Sequence, residues 1–310
     1  VMDRGGFRQV SEEETLSIAM AEAERYAQER FGQLDSRRLH YLLERNDQEL
    51  AVVVSDLWQE LSVSQFDPAG FEVAFGDDGM LPAIQIPGAA MPAMVRGFVD
   101  RVDRWQANDQ TFLRVVDYKT GKKSFDYTNV LHGRGLQMLL YLFALVRQGG
   151  HLLHGEPLPA GVLYFPARIE RVSVRDRFAQ AEIEKERRKQ LRRSGVLLNS
   201  DPVLEAMEPC GGSPRFLPYT LDKEGRKTGD LASFAQLAQL ERFVFQTVAA
   251  LGDELADGRI DPDPCIRDAK DSACAFCPYS EICAGHEQPR WLKKITAEEF
   301  WQTLERREHG

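Results

Sequence analysis

Apolar residues recur every three or four positions from Ser11 to Glu60, so the chain opens as one-sided helical support. The segment "SEEETLSIAMAEAERYAQERF" begins with a capping signal, Ser11 followed by Glu14, and "RRLHYLLERNDQELAVVVSDLWQEL" continues the period. Beyond it come short runs punctuated by Gly, Pro, Asn and Asp: "GFEVAFG" at 70–76, "AIQIPG" at 83–88, "VRGFVDRVDRW" at 95–105 and "TFLRVVDYKTG" at 111–121. These predict strands, most simply an antiparallel meander. A strongly apolar helix, "GRGLQMLLYLFALVRQ", and a further strand, "PAGVLYFPA" at 159–167, follow. Strand, helix and strand at that spacing predict a crossover, hence an α/β fold with a mixed sheet.

The pattern then weakens. "QAEIEKERRKQLRRSG" is charged and 195–230 is rich in Gly, Pro and polar residues, whereas "LASFAQLAQLERFVFQTVAALGDELADG" resumes helical spacing before a cysteine-rich end. The expected organisation is a helical support at 1–65, a core at 66–170, an insertion or lid at 171–230, and a C-terminal helix with a cysteine knob at 231–310.

Length and composition fit a folded chain: 310 residues, 43% hydrophobic, can bury a large core. The 48 acidic and 39 basic residues give a net charge of -9, which argues against binding a polyanion through bulk charge. No run of eighteen apolar residues occurs, and "VMDRGGFRQVSEEE" lacks the zones of a signal peptide. A cytoplasmic protein without a membrane partner is expected, and the polar start without Met suits a piece of a longer chain. No G-x-x-x-x-G-K-[ST] loop is present, so any ATP-driven motion belongs elsewhere.

The strand ending "RVVDYKTGKK" carries the candidate chemistry. Side chains alternate along a strand, so Asp117 and Lys119 share a face and Tyr118 takes the other. A tight turn at Asn108 and Asp109 would pair residues whose numbers sum to 217 and set Asp100 opposite Asp117. Opposed Cβ atoms lie about 5 Å apart, where two carboxylates repel unless a cation intervenes. A divalent metal such as Mg²⁺ or Mn²⁺ would meet that need, with Lys119 stabilising developing negative charge. Surface ion pairing is the alternative. Asp103 falls on the other face, which makes it a weaker ligand candidate. Gln137 and Tyr141, four residues apart, share one helix face, suited either to contacting substrate or to packing. Lys122, Lys123 and Arg134 are the candidate phosphate contacts; the run Lys185 to Arg193 reads as a solvated helix face paired with nearby Glu residues.

"CAFCPYSEIC" spaces Cys274, Cys277 and Cys283 as C-x2-C-x5-C, which suits zinc or an iron–sulfur centre and needs a fourth ligand. Inert buried thiols are the remaining reading.

"GFVDRVD", "VVDYKTGKK" and "QMLLY" resemble the motifs of PD-(D/E)XK nucleases, in the RecB-like branch. The similarity is closer still to the carboxy-terminal nuclease domain of AddB-type subunits of bacterial helicase-nucleases, and "GVLYFPA", "GVLLNSDPVLEAME" and "FLPYTLDKEG" extend it from about residue 70 to 290. The resemblance implies a restriction-endonuclease-like core and a Mg²⁺- or Mn²⁺-dependent DNA exonuclease acting on single-stranded ends in double-strand break repair. Asp100, Asp117, Lys119, Gln137 and Tyr141 would be its catalytic residues, and a helicase-nuclease subunit its partner. It also implies a [4Fe-4S] cluster on the three clustered cysteines. Two departures stand out: His40 does not match the family's early metal-binding histidine, and the distant fourth cysteine has no counterpart. Cys265 is near enough to substitute and Cys210 reads as incidental, so an incomplete cluster is expected. The alternative function is a catalytically silent DNA-guiding module of the same complex.

Overall fold

The computed structural model describes residues 1–32, 36–76, 79–148, 156–170, 180–268, 271–275, 277–283 and 289–309. In chain order the elements are α1 (Glu12–Phe31), α2 (Arg37–Leu61), β1 (Asp67–Phe75), β2 (Ile84–Ile86), β3 (Ala93–Val95), β4 (Gly97–Ala107) and β5 (Gln110–Lys119). There follow α3 (Tyr127–Leu131), α4 (Gln137–Gln148), β6 (Pro157–Pro166), α5 (Gln180–Leu191), β7 (Ser194–Leu198) and α6 (Asp201–Met207). The chain ends with β8 (Tyr219–Leu221), β9 (Lys227–Gly229), β10 (Leu231–Ala232), α7 (Phe234–Ala256), β11 (Cys265–Ile266), β12 (Arg290–Trp291) and α8 (Ala297–His309). Two compact units result: Val1–Val73, Val99–Phe125 and Leu145–Ser233 form the first; Ala74–Phe98, Asp126–Ala144 and Phe234–Gly310 form the second.

A sheet of order β1-β4-β5-β6-β7-β10 organises the first unit. β4 and β5 are antiparallel, β5 and β6 parallel, β6 and β7 antiparallel, so the sheet is mixed as the spacing predicts. The parallel step requires a crossover, and α3 and α4 lie within it. The expected single meander is interrupted, because β2 and β3 form a small antiparallel sheet of their own. Its residues Ile84 and Ile86, each 2% exposed, belong to the core of the second unit. β7 joins the main sheet from the segment whose composition reads as an insertion; Gly195 to Leu198 are all buried there, as in a strand covered on both faces.

Ser11 caps α1 by accepting the Glu14 N–H at 3.2 Å, as the capping signal predicts. In the second unit Tyr127, Phe300, Trp301 and Phe243 pack ring to ring, with Phe300 touching each of the others at 5.0 to 6.2 Å.

The core of the first unit holds an array of charges. Arg101, Asp103 and Arg114 on the hairpin, Asp56 and Glu60 on α2, and Arg193 before β7 are each no more than 3% exposed. Arg114 donates to Asp103 Oδ2 at 2.7 and 3.0 Å and reaches Glu60 Oε1 at 3.3 Å. Arg101 contacts Asp103 Oδ1 at 2.8 Å and donates to the Tyr118 hydroxyl at 2.7 Å. Arg193 donates to Glu60 Oε2 at 2.6 and 2.9 Å, pairs with Asp56, and stacks 4.0 Å over Phe165. Three guanidiniums thus balance three carboxylates away from water. Arg215, partly exposed, closes the array on Asp56 Oδ1 at 2.9 Å.

Burial alone would raise the Glu60 carboxyl, but Arg193, Arg114 and Arg101 outweigh it and hold the group down to about 2. A depressed carboxylate stabilises the fold above its unfolded value and loses that contribution as pH falls through the folded one. Stability measured by urea unfolding should therefore decline as pH is lowered from about 4.5 toward about 2. Arg193→Met, which strands Asp56 and Glu60, should cost about 3–5 kcal/mol at neutral pH in the same measurement.

Candidate active site

The β4–β5 hairpin turns through Asn108 and Asp109, whose φ values of 49° and 62° are those of a two-residue type I′ turn. That turn fixes the register: Ala107 pairs with Gln110 and Arg101 with Val116, every pair summing to 217. Asp100 and Asp117 are the next pair along, on the face opposite Arg101, Asp103 and Arg114. The ladder stops just short of them, and Asp100 Oδ2 instead accepts the Tyr118 N–H at 2.8 Å. Asp117 is buried at 6% exposure, and its Oδ2 is paired with the Lys119 ammonium. Burial pushes the Asp117 carboxyl above its ordinary range and Asp100 adds to the rise, against the pull of Lys119 and Lys123. The Asp117 carboxylate is thus partly desolvated, with one ammonium on its Oδ2 and a second carboxylate beside it.

Asp103 keeps the face assigned to it by alternation, but its role is structural: it is fully buried between two arginines.

A further side chain reaches the site from β6. The β5–β6 register shifts between Leu113 and Arg114, which pair with Pro159 and Gly161 and leave Ala160 as an extra residue. The shift places Tyr164 beside Asp117 on the site's face and Phe165 beside Tyr118 on the other, where their rings meet at 5.2 Å. Burial, with the Asp117 charge adding to it, pushes the Tyr164 phenol up to about 12. Residue order alone assigns Tyr164 no role, because the bulge that selects it over Leu163 leaves no mark in the hydrophobic pattern.

In the second unit, Gln137 Nε2 donates to the Tyr141 hydroxyl at 3.1 Å, as their four-residue spacing predicts. Gln137 is exposed; Tyr141 is buried and stacks on Phe75 at 5.7 Å.

A profile of the PD-(D/E)XK nuclease superfamily matches residues 7–284, nearly the whole chain. The chain belongs to the PD-(D/E)XK nuclease superfamily. Similar curated proteins are named as the B-type subunits of ATP-dependent helicase/deoxyribonucleases. That of Moorella thermoacetica is 33% identical over 253 residues, that of Acetivibrio thermocellus 32% over 252, and that of Oceanobacillus iheyensis 30% over 261. Each match covers 80% of this chain and 22% of the relative, so the chain spans less than a quarter of those proteins.

Members of this superfamily generally use divalent cations, and the hairpin's donor set fits one. Two carboxylates on one face are hard oxygen donors in the number Mg²⁺ usually takes from protein, and a bound cation would offset the repulsion between them. Among the described residues no group of three or more His, Cys, Asp or Glu side chains is placed to share an ion. Cys274, Cys277 and Cys283 are partly exposed, and Cys265, buried in β11, lies close in the chain, its carbonyl accepting the Ala273 N–H at 3.1 Å. Cys210 belongs to the first unit, its thiol donating to the Gly212 carbonyl. His40 is exposed on α2.

Of the candidate phosphate contacts, Lys122 pairs with Glu170 at 2.9 Å on the open surface, and Lys123 sits 5.9 Å over the Tyr164 ring. Arg134 is held at 2.6 Å by Asp271, which Arg267 also grips. Arg267 also pairs with Asp126, so two guanidiniums meet two carboxylates and the charge of Arg134 is matched, a pairing hidden in the residue order because Asp271 lies far along the chain.

Gly97, which opens β4, leaves no room for a side chain: a methyl there would run into the Tyr141 hydroxyl. Gly97→Ala should cost about 1–3 kcal/mol in denaturant unfolding, as overpacking does, and Tyr141→Phe in the same chain should restore most of the loss.

Proposed function

We infer that this chain is the nuclease module of a bacterial helicase-nuclease subunit, hydrolysing DNA phosphodiesters at the Asp100–Asp117–Lys119 face of the hairpin. The supporting observation is the geometry of that face within the superfamily match: two carboxylates brought side by side with a lysine on the second. The names of the similar proteins support a helicase-nuclease subunit as partner. The motif resemblance extends the reading to exonucleolytic degradation of single-stranded ends during break repair.

Asp100 and Asp117 would hold Mg²⁺ or Mn²⁺. When bound, such a cation supplies charge neutralisation at the phosphoryl group and acidifies water. Lys119 contributes a fixed ammonium beside the reacting phosphate, where negative charge builds as the bond to the leaving oxygen breaks. The Tyr118 N–H fixes the Asp100 carboxylate, and the buried arginines behind the hairpin keep the strand from shifting as charge moves. Gln137 and Tyr141 keep the roles the resemblance implies, contact with water or a backbone phosphate and support of the strand. Cys274, Cys277 and Cys283, with Cys265 as substitute fourth thiolate, are the proposed iron–sulfur ligands on the resemblance alone.

The alternative is a DNA-guiding module without catalysis, favoured by the ion pair with Lys119 that occupies Asp117. Incubating the purified chain with single-stranded DNA and Mg²⁺ or Mn²⁺ separates the two. Cleavage that falls on the order of 100-fold or more in both Asp117→Ala and Lys119→Ala is expected. Binding without cleavage under either metal would favour the guiding module, and variants that cut like the parent would remove the site from the hairpin.

A further inference from the structure

A basic cleft of about 760 Å³ opens within the first unit from the Lys119 end of β5. Six cationic side chains line it: Lys119, Lys122 and Lys123 from the hairpin's end, Arg45 from α2, Arg168 after β6 and Arg192 after α5. Glu170 is the one acid among the described lining residues. In a chain of net charge -9, that concentration of positive charge is local and built from four separate segments.

The partners of these groups leave the cleft positive. Arg45 contacts Glu49 Oε1 at 3.1 Å, and Arg168 reaches the other oxygen of the same carboxylate at 3.9 Å, so two guanidiniums share one negative charge. Arg192 gives one Nε and one Nη2 donor to backbone carbonyls, Leu217 at 3.0 Å and Tyr219, which leaves its charge and its remaining N–H groups available. Lys123 lies over the face of Tyr164, the residue beside Asp117. The pair within the cleft itself, Lys122 with Glu170, is solvent-exposed and so weak enough for a phosphate to displace. Nothing lies within 4 Å of a side chain built at Gly121, so the floor where β5 ends is open.

We propose that this cleft is the track for the substrate strand, in which Arg45, Arg168 and Arg192 grip consecutive phosphates of a single DNA strand and deliver the scissile one to Lys119 and the carboxylates. The proposal rests on the reading of Asp117 and Lys119 as the cutting site. The cleft's volume is that of a small-ligand site, enough for a short stretch of one strand and too little for a double helix. Six cations against one acid dominate its lining, so the strand is held chiefly through its phosphates, contacts that carry no sequence information. Arg45, Arg168 and Arg192 act as positioning residues. The run Lys185 to Arg193 divides accordingly: Arg188 and Lys189 pair with Glu184 and Glu186, Arg193 is buried, and Arg192 faces the track.

The test is binding of a fluorescent oligothymidine without divalent metal, read by anisotropy across a salt series, for the parent, Arg45→Gln/Arg168→Gln and, as a control, Arg188→Gln. The double variant should bind at least about 10-fold more weakly at low salt, and the slope of log affinity against log salt should shrink by about 0.7 for each phosphate no longer gripped. The control should match the parent. Lys123→Gln, a single exposed change, provides the same reading should the double variant fold poorly. Variants that keep the parent's affinity and slope overturn the track, whether or not the parent cuts DNA. An equal loss on a duplex probe overturns its single-strand character. A parent that shows the expected slope change yet cleaves nothing leaves the track standing and removes the catalytic reading instead.

Discussion

Burying six charges side by side is the constraint around which the first unit is built. Each of Asp56, Glu60, Asp103, Arg101, Arg114 and Arg193, taken alone into the interior, would carry a desolvation penalty of several kcal/mol. The array is tolerable only when all six arrive together, because every carboxylate is held by a guanidinium from a different segment. Long α2, the hairpin and the entry to β7 are therefore locked into one mutual arrangement. Apolar packing of similar volume would permit small slips of a strand; a slip here would strand a charge.

The hairpin's two faces are consequently coupled. Side-chain alternation means that a register seating Arg101, Asp103 and Arg114 in the array places Asp100, Asp117 and Lys119 together on the other side. The same holds for β6, where the extra residue at Ala160 sends Phe165 to stack under Arg193 and Tyr164 to stand beside Asp117. A one-residue change in either register would exchange the faces, and the charged core penalises that exchange far more heavily than a row of valines would. Two close carboxylates that repel one another need such a rigid mount, since nothing in their own interaction holds them together.

Much of this was legible from residue order. The Asn-Asp turn, the register it dictates and the facing of Asp100 and Asp117 follow from local turn chemistry, and the crossover to a parallel β6 from element spacing. The buried array was not, although its parts were visible: Arg114 falls opposite Asp103 by the same register that pairs the aspartates. Charged residues on strands ordinarily face water, and only tertiary placement of Asp56, Glu60 and Arg193, from segments 40 or more residues from the hairpin's turn, converts them into core. Arg134 and Arg192 have partners that residue order hides for a related reason. Each belongs to a local context that suggests one partner, and a distant segment, Asp271 for the first and the Leu217 and Tyr219 carbonyls for the second, decides its charge.

That distribution explains how an acidic chain can present a surface to a polyanion. Many of the described arginines and lysines are paired with carboxylates, deep in the array or at the surface, as in Arg188 with Glu184. Arg192 and Lys123 are satisfied by carbonyls and an aromatic face, and Arg45 and Arg168 divide a single carboxylate between them. Partners of that kind fix a cation's position without neutralising it. A net charge of -9 then discourages indiscriminate adhesion elsewhere on the surface, while the uncancelled charge beside Lys119 acts over the short range that salt leaves unscreened, about 8–10 Å. On the proposed track, selectivity for the cleft over the rest of the molecule would arise from how the cations are held, more than from how many there are.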